Sequence, residues 1–380
     1  MTQVRVRPAR AAAVALVVGG IVVVLRLQTF DWNPTGFVWA GDQLVERSEA
    51  PANLLIREDS AGFDGTGFYR LALDPATRVR KDFGIYLDHP AFRHQRILYP
   101  LGAWMLSGGH AVAAAWALIG VNLAGLAIVA WLGARLVAGA GRAPWWGLAF
   151  AFNPAYALAL GVDTAEIVAG VFFLAAVQAL RARAWRLATV WMVLAMFARE
   201  TTLILAAGIV AMLVLRRGAR DGPPWWSAAI PLGAFVAWQC VLAWWWGGFA
   251  LGTGAGLDIG PPFVGLVRAA ADWLPPDEAL DILHVAFAFA IVAFSVTAVR
   301  AVARGAGEHH ERAAVVLSII LISLTSAAIW FHHWGFLRAT AELYALGTLV
   351  VLSDERAPVH RLAIAPAICL SLWLNMLLFP

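Results

Sequence analysis

The 380 residues are 61% hydrophobic and 14% charged, with a mean hydropathy of +0.73, well above the roughly 45–50% apolar share of a soluble domain. The formal charge of +4 rests on 27 arginines and one lysine dispersed between apolar runs, with no solvated basic face, which excludes nucleic-acid binding. The chain reads as an all-α polytopic membrane protein, and Cys240 and Cys369, inside apolar runs, behave as small hydrophobes that say nothing of redox compartment.

Arg5, Arg7 and Arg10 precede the apolar run 11–25. A basic segment before a short apolar run has the look of a signal peptide, but no small-x-small cleavage site follows, so an uncleaved first span is expected. Because about 20 apolar residues cross the hydrocarbon, spans are predicted near 9–27, 110–138, 143–160, 165–182, 225–247, 281–303, 312–330, 336–352 and 361–378. A divided region covers 186–215. Residues 1–380 form one transmembrane domain with two long loops, 28–109 and 248–280.

Short cytoplasmic loops collect arginine. With a cytoplasmic N-terminus, Arg135, Arg142, Arg181, Arg183, Arg186, Arg216, Arg217, Arg220, Arg300, Arg304, Arg312, Arg356 and Arg361 all fall on the cytoplasmic side, and both long loops face outward. Arg186 and Arg216 then share a side with too little chain between them for two full spans. Two half-helices meeting at Arg199-Glu200-Thr201-Thr202 resolve this, since short helices are tolerated where they line a cavity. Within 28–109, residues 36–45 and 66–73 read as interfacial helices, and 96–106 as an apolar helix too short to span.

The polar chemistry concentrates in that loop. Residues 63–75 carry Asp64, Phe68, Tyr69 and Arg70; residues 88–100 carry Asp88, His89, Arg93, His94, Arg96 and Tyr99. Asp64 precedes a predicted helix, and Gly65 and Gly67 permit close approach of a ligand to the backbone. Its carboxylate has two readings: a general base for an acceptor hydroxyl, or an N-cap. Arg93 and Arg96, three apart, share a helix face and can clamp a phosphate, or they mark the lipid interface. His89 and His94 are weaker candidates.

Asp64-Gly65, Phe68-Tyr69 and Ala72, followed after a polar stretch by Tyr99-Pro100-Leu101, resemble the first outer loop of GT-C membrane glycosyltransferases, especially the glycosylphosphatidylinositol mannosyltransferase II-like group and its bacterial relatives. Phe63 stands where that group has Trp, and Arg93-His94-Gln95-Arg96 is more basic than its pattern. The resemblance implies a bundle of about 10–12 transmembrane helices in a bacterial plasma membrane, with the active site on the extracytoplasmic, cell-envelope side. It implies an inverting transfer of sugar from a polyprenyl-phosphate donor to a glycan or lipid acceptor. Asp64 takes the place of the loop carboxylate, with Phe68 and Tyr69 as its aromatics. Departure of a lipid phosphate needs cations or a metal; a divalent metal is left open, because no residues here have dedicated ligand spacing.

Farther along, Arg199 and Glu200 are ionisable groups at membrane depth, which cost on the order of 2.5–3.5 kcal/mol each. Each needs its own partner, a structural ion pair or, for Arg199, the donor phosphate. Asp163 and Glu166 have capping-box spacing, with metal or substrate binding as the alternative. Arg338 and Glu342 have the spacing of a local helical ion pair, with Arg338 also a candidate to line the cavity beside His332. His332 and His333 diverge by about 100° if helical, which argues against a shared metal. Residues 252–256 read as a flexible glycine loop, and the tryptophans at 145–146, 225–226 and 244–246 as interfacial anchors. Two rivals share these features: a lipid or solute transporter, which lacks the expected paired repeats here, and another lipid-linked transferase, a ligase or acyltransferase.

Overall fold

The computed structural model describes residues 7–215, 222–252, 259–357 and 359–378. Arg5, Arg216, Arg217, Arg220 and positions 253–256 of the glycine loop lie outside the described residues. The apolar helix α1 (Pro8–Thr29) leads into a compact loop of short elements. A 3-10 turn at Pro34–Phe37, capped by the Asn33 side chain, precedes strand β1 (Ala40–Gly41), which pairs in parallel with β2 (Ile56–Arg57). The helix expected over 36–45 is therefore absent. Two poor helix formers, Gly36 and Gly41, lie in that segment, and the Gly41 backbone presses so closely on Ser60 that a Cβ would stand 2.1 Å from its carbonyl oxygen.

Helix α2 (Asp64–Leu73) includes the predicted 66–73, but residues 65–73 are buried against protein instead of lying at an interface. The hairpin β3 (Lys81–Asp82) with β4 (Ile85–Tyr86) follows, then α3 (Pro90–Gln95) and α4 (Leu98–Ser107), which ends at Gly108 with φ 61°. Helix α5 (Ala111–Gly139) is the long central span against which α1 packs.

The predicted span over 143–160 is in pieces: a 3-10 turn at Pro144–Gly147, α6 (Leu148–Ala151) and α7 (Pro154–Gly161). Pro154 lacks the N–H that would continue the helix, and Asn153 caps the restart. Next come α8 (Glu166–Arg181) and α9 (Trp185–Ala198). Arg199 is extended, with φ −163°; a 3-10 turn at Glu200–Leu203 then leads into α10 (Ile204–Leu215). The division predicted at 199–202 is the one observed.

The remainder comprises α11 (Trp226–Trp246), α12 (Val264–Trp273), α13 (Ala279–Ala303), α14 (His309–Ser323), α15 (Ala327–Trp330), α16 (His333–Ala339), α17 (Ala341–Ser353) and α18 (Ile364–Leu378). The single spans expected over 312–330 and 336–352 are both interrupted, the second by a 50° bend between α16 and α17. Among the described residues, α1, α5, α11 and α13 are long and apolar enough to cross a membrane, and α16 with α17 makes a fifth if the bent pair is one span. With only four two-residue strands beside these helices among the described residues, the chain is an all-α integral membrane protein.

Two ends of the bundle are chemically distinct. At one, Arg142 caps the carbonyls of Leu352 and Asp354, Arg304 pairs with Asp354 at 3.0 Å, and Arg181 reaches both Glu311 and Ser353. The far end of α10 arrives there too: Met212 and Leu215 share a cavity with His309 and Arg312. The start of α9 follows Arg181 by four residues, so both half-helices have their far ends at this end of the bundle and meet at Arg199. Glu166 and Glu342 lie in the first turns of α8 and α17, whose other ends carry Arg181 and Ser353, so at 1.5 Å per residue they lie roughly 17–23 Å away, toward the opposite end.

Candidate functional site

Asp64 is the first residue of α2, and the local packing fixes where it points. A Cβ on Gly65 would come within 2.6 Å of the Val38 carbonyl oxygen and 2.7 Å of that of Val162, so the first turn of α2 is wedged between the outer loop and the turn before α8. At Gly67 the Arg93 side chain crosses the backbone, its Cδ 3.0 Å from where a Cβ would be. The close approach that these glycines permit is used by the protein itself, not kept for a ligand.

Three arginines converge on Asp64. Arg93, on α3, donates from Nε and Nη2 to the two oxygens of Asp88 at 2.9 and 2.8 Å, and from Nη1 to Asp64 Oδ1. Arg96, just past α3, donates from Nε and Nη2 to Glu200 at 3.0 and 2.6 Å, while its Nη1 stands 3.8 Å from Asp64 Oδ2. Arg338, on α16, donates from Nε to Glu166 at 2.6 Å and from Nη2 to Asp64 Oδ2 at 2.7 Å. Its guanidinium also lies over the Phe63 ring, 5.1 Å from the centroid. A fourth arginine, Arg199, sits behind them 3.6 Å from Glu342, which accepts a 2.8 Å bond from Thr201.

The electrostatics follow from this arrangement. Burial alone would raise the Asp64 carboxyl, but the guanidiniums of Arg338, Arg93 and Arg96 outweigh it and hold Asp64 well below the usual carboxylate range. Asp88 is held low in the same way: burial works against its charge and the Arg93 guanidinium prevails. As an N-cap, Asp64 would spend its oxygens on backbone N–H groups. Here they are spent on arginines.

Several expectations need correction. Arg338 and Glu342 do not pair, because the bend between α16 and α17 separates them; Arg338 turns to Asp64 and Glu166, and Glu342 to Arg199. Asp163 and Glu166 do not form a capping box: Asp163 has φ 48° and is buried, and Glu166 reaches Arg338. His332 and His333 do not diverge, since only His333 is helical and their rings stack with centroids 4.9 Å apart. His333 Nδ1 also lies 3.0 Å from His284 Nε2.

Phe68 and Tyr69 are buried in helix packing, Phe68 edge-on to Tyr99 and Tyr69 donating to the Ala111 carbonyl at 3.2 Å. Arg70 is fully buried and ties Thr77 and Asp82 to α2. His94 faces Trp245 and Trp246 at the end of α11, not the arginine cluster. His89 and His332 are exposed. Arg199 and Glu200 do find separate partners, as adjacent helix-break residues must.

Glu166, read mainly as a cap, and Glu342, read as a local ion-pair partner, both enter the site. Their signal was the same as for Glu200, an acid at membrane depth, but a nearby residue at a familiar spacing offered each a local explanation. Trp334, edge-on to both Phe63 and Trp39 at 5.0 and 5.1 Å, adds an aromatic wall that no spacing marked. Among the described residues no three His, Cys, Asp or Glu side chains are grouped to hold a metal ion. Comparison with family models, with curated proteins and with solved structures finds no match to this chain.

Proposed function

We propose that the chain is a GT-C-like glycosyltransferase that moves a sugar, with inversion, from a polyprenyl-phosphate donor to a glycan or lipid acceptor at the outer face of the membrane. The observation that carries this reading is the convergence of Arg93, Arg96 and Arg338 on one carboxylate, Asp64, where an outer loop meets the break between two half-helices. Such a spot brings a polar acceptor and a lipid-dissolved donor within reach of the same groups. The basic end that holds Arg142, Arg181 and Arg304 supports a cytoplasmic placement for the opposite face.

In this mechanism Asp64 accepts the proton of the acceptor hydroxyl, and the acceptor oxygen bonds to the anomeric carbon from the face opposite the phosphate. The carbon–oxygen bond to phosphate breaks, and its electron pair leaves on the lipid phosphate. The leaving group gains a second negative charge as Asp64 loses one, so the local charge is conserved. That matters, because four guanidiniums already face five carboxylates, Asp64, Asp88, Glu166, Glu200 and Glu342. The arginines supply fixed donors where the phosphate charge develops. Phe63 and Trp334 supply aromatic surface beside Arg338.

The test is turnover by the purified protein in detergent with polyprenyl-phosphate hexoses and an octyl glycoside acceptor. The expected result is release of polyprenyl phosphate matched by glycosylated product with inverted anomeric configuration; retention at the anomeric carbon would contradict the single-displacement mechanism.

A further inference from the structure

We propose that Asp64 occupies the seat of an oxyanion: a phosphoryl group and the Asp64 carboxylate compete for the same guanidinium hydrogen bonds, while Asp88, Glu200 and Glu166 are positioning residues that keep Arg93, Arg96 and Arg338 aimed at that seat. The proposal rests on the lipid-phosphate reading above only for the source of the phosphoryl group.

The arginines each serve two masters, and the two differ in kind. Arg93 and Arg96 are each held by two hydrogen bonds to a carboxylate of their own, Asp88 and Glu200, and Arg338 by a 2.6 Å bond to Glu166. These three carboxylates come from unrelated places: the loop before α3, the break between α9 and α10, and the start of α8. Each leaves one Nη atom of its arginine directed at the same point, and Asp64 fills that point. Two-point carboxylate contacts fix a planar guanidinium in orientation as well as place. The remaining edges therefore form a preset cradle of donors, suited to the spread oxygens of a phosphate.

Access favours exchange. The Asp64 side chain is 19% exposed and the three arginine side chains 11–15%, so both the occupant and the cradle can be reached, whereas Glu166 at 1% is sealed in. Exchange replaces one set of charge-assisted bonds with another, which avoids leaving a buried guanidinium unpaired. It also removes the guanidiniums that hold Asp64 in its ionised, weakly basic form.

The experiment measures binding of geranyl phosphate, and separately of inorganic phosphate, to the full chain in detergent by calorimetry, for the wild type, Asp64→Asn, Asp88→Asn and Glu200→Gln. Simple removal of negative charge would tighten binding in all three variants. Competition with positioning requires opposite signs: about tenfold tighter for Asp64→Asn and about tenfold weaker for the other two, with Asp88→Glu restoring the wild-type value and thermal unfolding checked for each. Asp64→Ser replaces Asp64→Asn if the latter fails to fold. Unchanged or weaker binding in the Asp64 variant, tightening in all three, or no binding of either probe overturns the proposal. Binding of inorganic phosphate as tight as that of geranyl phosphate would sustain the exchange and overturn the lipid-phosphate reading alone.

Discussion

His94 has its Nδ1 3.0 Å from the Pro90 carbonyl oxygen and its ring against Trp245 and Trp246, with Nε2 buried and unpartnered. Nδ1 therefore donates to that carbonyl. Burial pushes its pKa down to about 4. Between pH 6.5 and 4 the unfolded chain binds a proton at this position that the folded chain refuses, so its contribution to stability is complete above pH 6.5 and is lost as the pH falls toward 4. From pH 7 to pH 5 that loss is on the order of 2 kcal/mol. Thermal unfolding in detergent at the two pH values should show a smaller acid shift for His94→Gln than for the wild type; equal shifts would mean that His94 is protonated in the fold. The residue identities Asp64, Arg93 and Arg96 were legible in the sequence because charge is scarce in this chain. The distribution of roles was not. Burial of His94, Phe68, Tyr69 and Arg70 is decided by distant partners such as α11 and β3, which local spacing does not reveal.

At the scale of elements, the seating of α2 against its neighbours places Asp64. Gly65 meets two backbone carbonyl oxygens, which cannot move aside as a side-chain tip can. Gly65→Ala should therefore cost about 1–3 kcal/mol through overpacking and displace Asp64 from its arginines. Gly120→Ala, in α5 with nothing within 4 Å of the added methyl, should instead be neutral or stabilising, since Ala outranks Gly in helices. Comparing the unfolding temperatures of the two variants checks this; equal effects would show that α2 is not wedged. Long apolar helices such as α1, α5, α11 and α13 were readable from hydropathy alone, as was the break at Arg199, because two charges cannot sit unpaired in an apolar run. The breaks at Asn153-Pro154 and Thr340 were not recognised as such. At Asn153-Pro154 the segment remains apolar across the break, so a hydropathy window passes over the missing N–H; at Thr340 the flanking Arg338 and Glu342 had the spacing of a local helical ion pair, which masked the bend.

The whole molecule separates its charges by purpose. One end gathers Arg142, Arg181 and Arg304 with Asp354 and Glu311, pairs that fasten helices together; the other gathers Arg93, Arg96 and Arg338 around Asp64, with Arg199 paired to Glu342. Burying so many ionic groups adds little to stability when each is paired, and the proposed function gives the concentration at the second end its use. Chain direction along α8 and α17 puts Glu166 and Glu342 at the end of the bundle opposite Arg181 and Ser353. Their convergence on one carboxylate depends on contacts between residues 64, 93, 166 and 338, hundreds of positions apart in the extreme. The most direct test of the central claim is single-turnover transfer from a polyprenyl-phosphate sugar by wild-type protein and by Asp64→Asn of matched unfolding temperature. The account predicts that the variant binds the donor and transfers at least a hundredfold more slowly, the lower range for loss of a general base; transfer at the wild-type rate would contradict it.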